Sequence, residues 1–349
     1  MSRKTTIVSI LFALFALAIP ATASAARPHA IVFSQSWSEG GESEANLKGG
    51  LFAIRDGHLN QLTENPADAE PSFSPDGRTI AFARGGDLFS VRPDGSGQRQ
   101  LTSGPEVDSA PRVSPNGRYV VFERRASAGA AADLYTVGSK GGGIRALTTG
   151  ANDDREAHFS PDGKAIVFVR GASDSAGAVN DDLYSVRPTG GGLAHLTVTA
   201  GIDEFAPRYF AGGILFSRGD SSDSAAAYAD VYTMRRNGGK VRPQVKGVGS
   251  AYVEDVSSDG HTLIFRRDQG LWVKRIGPTK ARKLTQLPDG SKTNSVFSPN
   301  GRSVAAFITV ENTQQLMSIA VKTGRKTELA DSFETEAGAE LGPVIAWQP

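Results

Sequence analysis

The chain has no cysteine among its 349 residues. A disulfide framework, a thiolate zinc site and a cysteine nucleophile are therefore excluded. It also lacks a surplus of either charge, with 38 Lys and Arg against 37 Asp and Glu. Without a basic excess there is little drive for sequence-independent nucleic-acid binding, so no nucleic-acid partner is expected. Histidine is scarce. The five, His29, His58, His158, His195 and His261, are scattered without ligand-like spacing. No Gly-x-Ser-x-Gly elbow and no Asp-x-Asp-x-Asp-Gly calcium loop occur. No window carries the i, i+3, i+4, i+7 apolar stripe of a helix.

One long apolar run exists, Ile7 to Pro20, preceded by Arg3 and Lys4 and followed by the small residues Ala23-Ser24-Ala25. That order predicts a cleaved secretory signal over residues 1–26, with residues 27–349 as the mature domain. The run is shorter than the ~20 residues a bilayer-spanning helix needs. The expected product is periplasmic or extracellular, with no stable membrane insertion after cleavage. Removing Arg3 and Lys4 leaves 36 basic and 37 acidic side chains, a net charge of −1.

Glycine and proline are abundant, at 40 and 18, and many stand in register. Pro71-Ser72-Phe73-Ser74-Pro75-Asp76-Gly77 is followed by Ile80-Ala81-Phe82, Asp87-Leu88-Phe89 and Leu101-Thr102. The same order recurs from Pro111, His158, Pro207, Asp255 and Val296. The intervals from Phe73 to Phe82, Val113 to Phe122, Phe159 to Phe168 and Val256 to Phe265 are all nine residues. Those from Leu88 to Leu101, Leu134 to Leu147, Leu183 to Leu196 and Leu271 to Leu284 are all thirteen. Unit starts lie 40 to 50 residues apart, the period of a four-stranded propeller blade.

Each segment has the physics of a strand or turn. In Ser-Pro-Asp-Gly, proline presets φ, Asp suits the third position and Gly tolerates positive φ at the fourth. The turn predicts a tight hairpin. The following strand is apolar at consecutive positions, as in Ile166-Val167-Phe168, so both of its faces must be covered. Blades stacked around an axis provide that cover. The expected fold is an all-β, seven-bladed propeller of four-stranded antiparallel blades. Blades two to seven cover about 70–102, 110–148, 157–197, 206–246, 253–285 and 296–329.

Blade one, about 31–63, lacks a proline-turn strand at its start. The missing strand is found at the other end, where Val344 to Pro349 aligns with Ser72 to Pro75 and Trp347 stands for Phe73. Residues 343–349 are therefore expected to complete blade one and close the ring.

The Ser-Pro-Asp-Gly turn, the Ile-x-Phe strand, the Asp-Leu-Tyr strand and the closing Leu-Thr resemble the WD-like propeller repeats of the TolB family. The resemblance extends over about residues 29 to 349. It implies a β-propeller and partners in the bacterial cell envelope. Similar repeats also occur in some secreted pectate-fragment lyases.

Strand order puts the Ser-Pro-Asp-Gly turns on one face. The connections between second and third strands lie on the other, with the segments that lead into each blade. The turns are uniform. The connections vary from six residues (Phe82 to Leu88) to 18 (Phe33 to Leu51) and are rich in Ala, Gly, Ser and Asp. On this variable face Asp68, Asp108, Asp154 and Glu204 recur in four successive blades, with Glu70, Asp153, Glu156 and Asp203 beside them. Converging carboxylates suit a divalent cation, a basic peptide or an amine. The bland alternative is that each caps its own loop through backbone N–H groups. Arg112, His158 and Arg208 precede the aromatic positions of blades three to five and are expected to act as ion-pair partners of the acids. Asp153-Asp154 and Asp181-Asp182 are expected in solvated turns.

The functional expectation is a monomeric, exported, non-enzymatic scaffold. It binds a protein or peptide of the cell envelope or the extracellular space through the variable face, and it needs no cofactor. The binding residues are Asp68, Asp108, Asp154, Glu204, Arg112, His158 and Arg208. The alternative is a secreted polysaccharide-fragment lyase or hydrolase that uses the funnel carboxylates or a divalent cation such as calcium.

Overall fold

The five turns of the form Ser-Pro/Ser-Asp/Asn-Gly each build the same hydrogen-bond knot. In the first, the Ser74 hydroxyl donates to Asp76 Oδ1 at 2.6 Å. The Arg78 N–H donates to the same oxygen, the Thr79 N–H to Ser74 Oγ, and the Gly77 N–H to the Ser74 carbonyl. The knot recurs at Ser114, Ser160, Ser257 and Ser298. Gly77 sits at φ 64°, a left-handed conformation that glycine adopts without strain. Each knot turns the innermost strand of a blade into the second.

The computed structural model describes residues 30–38, 47–173, 179–199, 201–219, 229–247, 250–287, 295–310, 313–334 and 346–348. The expected signal segment lies outside them. So do residues 343–345 and 349 of the expected closing strand. The described residues form seven four-stranded antiparallel sheets. Blade two is representative: Asp68–Phe73 innermost, then Ile80–Arg84, Asp87–Val91 and the short outer Arg99–Gln100.

Blade one is built from Ile31–Ser38, Leu47–Arg55 and His58–Gln61, with Ala346–Trp347 as its innermost strand. Trp347 pairs with Ile31 and Ala346 with Val32. Phe73 pairs with Ile80 in the same way in blade two, so Trp347 occupies the position that its alignment with Phe73 predicts.

The consecutive apolar residues of the second strands divide between two interfaces. Ile80 and Phe82 pack with Val32, Leu51 and Ala53 of blade one. Ala81 and Ala83 pack with Val120 and Phe122 of blade three. The same division recurs around the ring, and the last cluster joins Ile31 and Phe33 to Ala305 and Phe307 of blade seven. Small residues face large ones: Phe82 meets Ala53, and Phe122 meets Ala81 and Ala83. Phe33, Phe82, Phe122, Phe168, Phe216 and Phe265 are fully buried. Burying each ring stabilises the fold by about 1.5–3 kcal/mol.

The variable connections are not plain loops. In blade four the second strand runs Ile166–Ser173 and the third Val179–Val186, paired as far as Ser173 with Val179. In blade one the ladder continues to Ser38 with Leu47. The ladders of these blades therefore run on into the inserts, and residues 39–46 and 174–178 lie outside the described residues.

Candidate functional site

The acids of the variable face begin the innermost strands. Asp68, Asp108, Asp154 and Glu204 are at most 3% exposed. Each is held by an arginine at the far end of the second strand. Arg84 binds Asp68 through two nitrogens, with Nη2 to Oδ2 at 2.8 Å. Arg124 binds Asp108 at 2.7 and 2.8 Å. Arg170 binds Asp154 at 2.6 Å through both Nε and Nη2. Arg218 Nε lies 2.8 Å from Glu204 Oε1. Pairing across the two strands enforces this: Asp68 sits opposite Arg84, Asp108 opposite Arg124, Asp154 opposite Arg170 and Glu204 opposite Arg218.

Each guanidinium also lies over two aromatic rings of its own blade. Arg84 covers Phe82 and Phe89 at 5.2 and 4.8 Å, and Arg170 covers Phe168 and Tyr184 at 5.6 and 5.0 Å. Arg124 and Arg218 repeat the arrangement. A paired guanidinium resting on aromatic faces is well stabilised. The closing Leu-Thr adds a link between blades. The Thr63 hydroxyl accepts the Leu51 N–H and donates to Asp68 of the next blade. Thr197 does the same between Leu183 and Glu204.

The expectation for Arg112, His158 and Arg208 is therefore corrected: the described partners of the four acids are Arg84, Arg124, Arg170 and Arg218. Their signal was the recurrent Phe-x-Arg at the end of the second strand. Among the described residues, the four acids take side-chain donors and not the backbone N–H groups of their own loops. Asp153 accepts the N–H of Ala132 in the preceding blade, and Asp203 that of Asp181. Asp153-Asp154 and Asp181-Asp182 lie on strands, not in turns.

A second acid completes each row. Asp87, Asp133, Asp182 and Asp230, of the Asp-Leu-Tyr motif and its variants, pair opposite the same four arginines from the third strand. They are partly exposed. Burial raises Asp87 and Asp133 above the usual carboxylate range. Asp182 lies 3.0 Å from His195 Nε2, whose ring stacks on Tyr184 at 4.2 Å. In blades two to five the variable face thus carries radial rows with two carboxylates to one guanidinium.

Nearer the axis the innermost strands bulge. Register shifts fall after Ala69, Ser109, Arg155 and Phe205, and Glu70, Ala110, Glu156 and Ala206 there have φ between 50 and 57°. Carboxylates from the preceding blade cap the exposed bulge N–H groups. Glu70 accepts from Ala110 and Glu156 from Ala206, both at 2.6 Å, and Glu123 accepts from Glu156. Beyond them, Glu254 accepts from Ser295 and Asp255 from Phe297. Burial pushes Glu254 up to about 7. Arg112, His158 and Arg208 follow the bulges at one register position, opposite Val121, Val167 and Leu215. The structure brings these three together. Among the described residues, no group of three or more His, Asp or Glu side chains is placed to hold a metal ion.

No protein-family profile matches the chain. The Tol-Pal system protein TolB of Gluconobacter oxydans is 45% identical over 64 residues, which span 17% of this chain and 14% of that protein. The chain therefore covers only a small part of that relative's length. TolB from Acinetobacter baumannii superposes with a TM-score of 0.53 and 15% identity, over 92% of this chain and 83% of that one. Oligogalacturonate lyase from Vibrio parahaemolyticus superposes with a TM-score of 0.61 and 12% identity, over 80% and 88%. With seven blades, the Ser-Pro-Asp-Gly knots and the returning C-terminal strand, the chain is a seven-bladed β-propeller, similar to TolB in fold and, over 64 residues, in sequence.

Proposed function

We infer that the protein is an exported, non-enzymatic scaffold that binds a protein or peptide of the cell envelope through its variable face. The observation that carries this reading is the set of radial rows, each with two carboxylates to one guanidinium. The inner acids are consumed in buried ion pairs, and the outer ones, Asp87, Asp133, Asp182 and Asp230, remain partly open to solvent. Such a surface suits a basic segment of a partner. The strand ladders that prolong the blades stand at the same face and supply shape. The curated relative is by name a component of the Tol-Pal system, which favours a partner in the envelope and a periplasmic site of action.

The test uses the mature chain as bait for envelope proteins, with captured partners identified and titrated as purified components. Changing Asp87, Asp133, Asp182 and Asp230 together to Asn should weaken binding at least about tenfold, and added salt should weaken the wild type similarly. The four buried acids are unsuitable targets, because their removal strands arginines. Equal binding by the variant refutes the acidic rows as the contact. Release of unsaturated sugars from oligogalacturonate by the wild type refutes the non-enzymatic reading.

A further inference from the structure

Among the described residues, every arginine on the first two strands of a blade lies within ion-pair distance of a carboxylate, except two. The exceptions are Arg112 and Arg208. They flank His158 in successive blades, at the same register position beside the axis. Each folds one Nη1 back onto the carbonyl of the preceding proline, Pro111 or Pro207, at 3.0 Å. Those contacts fix the guanidinium and leave its other N–H groups available. All three sit on innermost strands of successive blades and remain partly exposed.

The nearby carboxylates are already engaged. Glu70, Glu123, Glu156, Glu254 and Asp255 each accept a backbone N–H from the neighbouring blade. Their charges moderate the two cations without closing on them. Burial and the charge of Arg208 lower Arg112, and burial with both arginines holds His158 far below its usual range. The imidazole is thus neutral at pH 7 and offers one N–H. The cluster consequently presents donors in excess of acceptors, in a partly enclosed space where such donors act strongly.

We propose that Arg112, His158 and Arg208 form a binding site for a carboxylate-bearing ligand within the axial opening. A carboxylate matches the guanidinium fork, and two forks favour a ligand with more than one carboxylate. The carboxylate belongs either to a free small acid or to the free C-terminus of a peptide. The site stands independently of the partner at the variable face.

The test titrates the mature protein with citrate, succinate, inorganic phosphate, and an acidic peptide bearing either a free or an amidated C-terminus. Ionic strength is held constant. Calorimetry, the melting midpoint and the His158 ring resonances are followed. One saturable site for citrate is expected, with the His158 resonances moving during the titration. Arg112→Gln and Arg208→Gln should each weaken it at least about tenfold, since each removes one fork. Lys140→Gln, on the turn face, should leave it unchanged. The lysine replacements Arg112→Lys and Arg208→Lys keep the charge and should recover only part of the affinity. Tighter binding of the free-terminus peptide than of citrate assigns the site to a chain end, and the reverse assigns it to a small acid. Saturation by phosphate alone, absence of saturable binding by any acid, unmoved His158 resonances, or equal binding by wild type and the Gln variants overturns the proposal. Because the wild-type titration reads the site directly, a variant that fails to fold does not shield it.

Discussion

Gln348 donates its side-chain amide to the carbonyl oxygen of Gly77 at 2.7 Å, across 271 residues of sequence. Its backbone N–H reaches the Ala30 carbonyl at 2.8 Å, and its Oε1 accepts the Ala30 N–H at 3.1 Å. One residue thus ties the end of the chain to its first described residue and to the turn of blade two. Deleting residues 343–349 should lower the melting midpoint by more than ten degrees, because it exposes the edge of blade one and uncovers Ile31 and Phe33. Trp347→Ala should cost about 2–3 kcal/mol, below the range for a fully buried ring, because Trp347 is only partly buried. Denaturant melts of the two variants check this, and a truncated chain as stable as the full one disproves ring closure.

The acid–arginine rows predict a double-mutant outcome. Asp154→Ala leaves Arg170, which is 11% exposed, without its acceptor. It should cost about 3–5 kcal/mol. Arg170→Met in the Asp154→Ala background should recover part of that loss, since no stranded charge remains. The cycle of single and double variants in urea measures the coupling, which should be at least about 1 kcal/mol in magnitude.

Glu254 makes stability pH-dependent. Its pKa rises from 4.5 to about 7 in the folded chain, mainly through burial. Below about pH 4.5 both states hold the proton, so the group contributes no difference. Between about pH 4.5 and 7 the unfolded chain releases its proton first, and folding becomes progressively less favourable. Glu254→Gln should therefore match the wild type near pH 4 and exceed it by about 3 kcal/mol at pH 8. Urea melts at the two pH values check the sign, and a variant advantage that shrinks with rising pH contradicts the assignment.

The turn knots should matter out of proportion to their size. Ser160 is fully buried, and its hydroxyl both donates to Asp162 and accepts the Ala165 N–H. Ser160→Ala strands that N–H and should cost about 1–3 kcal/mol. The Ser160 and Lys164 hydrogen bonds lower Asp162 to about 2. Its contribution is thus present above its unfolded value of 3.8 and lost as pH falls through about 2. Asp162→Ala should destabilise at pH 6 and lose that effect near pH 2, as followed by urea midpoints.

Much of the fold was legible because the repeat carries its own ruler. Two fixed intervals, nine and thirteen residues, located the strands, and the orphaned Val344-to-Pro349 segment located the closure. The acids of the variable face were legible as recurrent positions, but their chemistry was not. Asp68 and Arg84 are 16 residues apart, and only the pairing of first and second strands makes them neighbours. The recurrent Phe-x-Arg was readable, but its meaning depended on which end of the strand met which acid. The long connections looked like small-residue inserts because Ala, Gly and Ser have weak strand preferences. Neighbouring ladders override those preferences.

Local chemistry written in the chain therefore determined the turns, the strand order, the number of blades and the return of the last strand. These depend on short-range geometry and on which residues must avoid water. Tertiary structure alone decided which charges neutralise one another and which stay available, because that depends on distances across strands and between blades. Asp154 and Arg112 are both charged residues near the start of a blade. Cross-strand pairing closes the first in an ion pair with Arg170 and, among the described residues, leaves the second without a carboxylate at ion-pair distance.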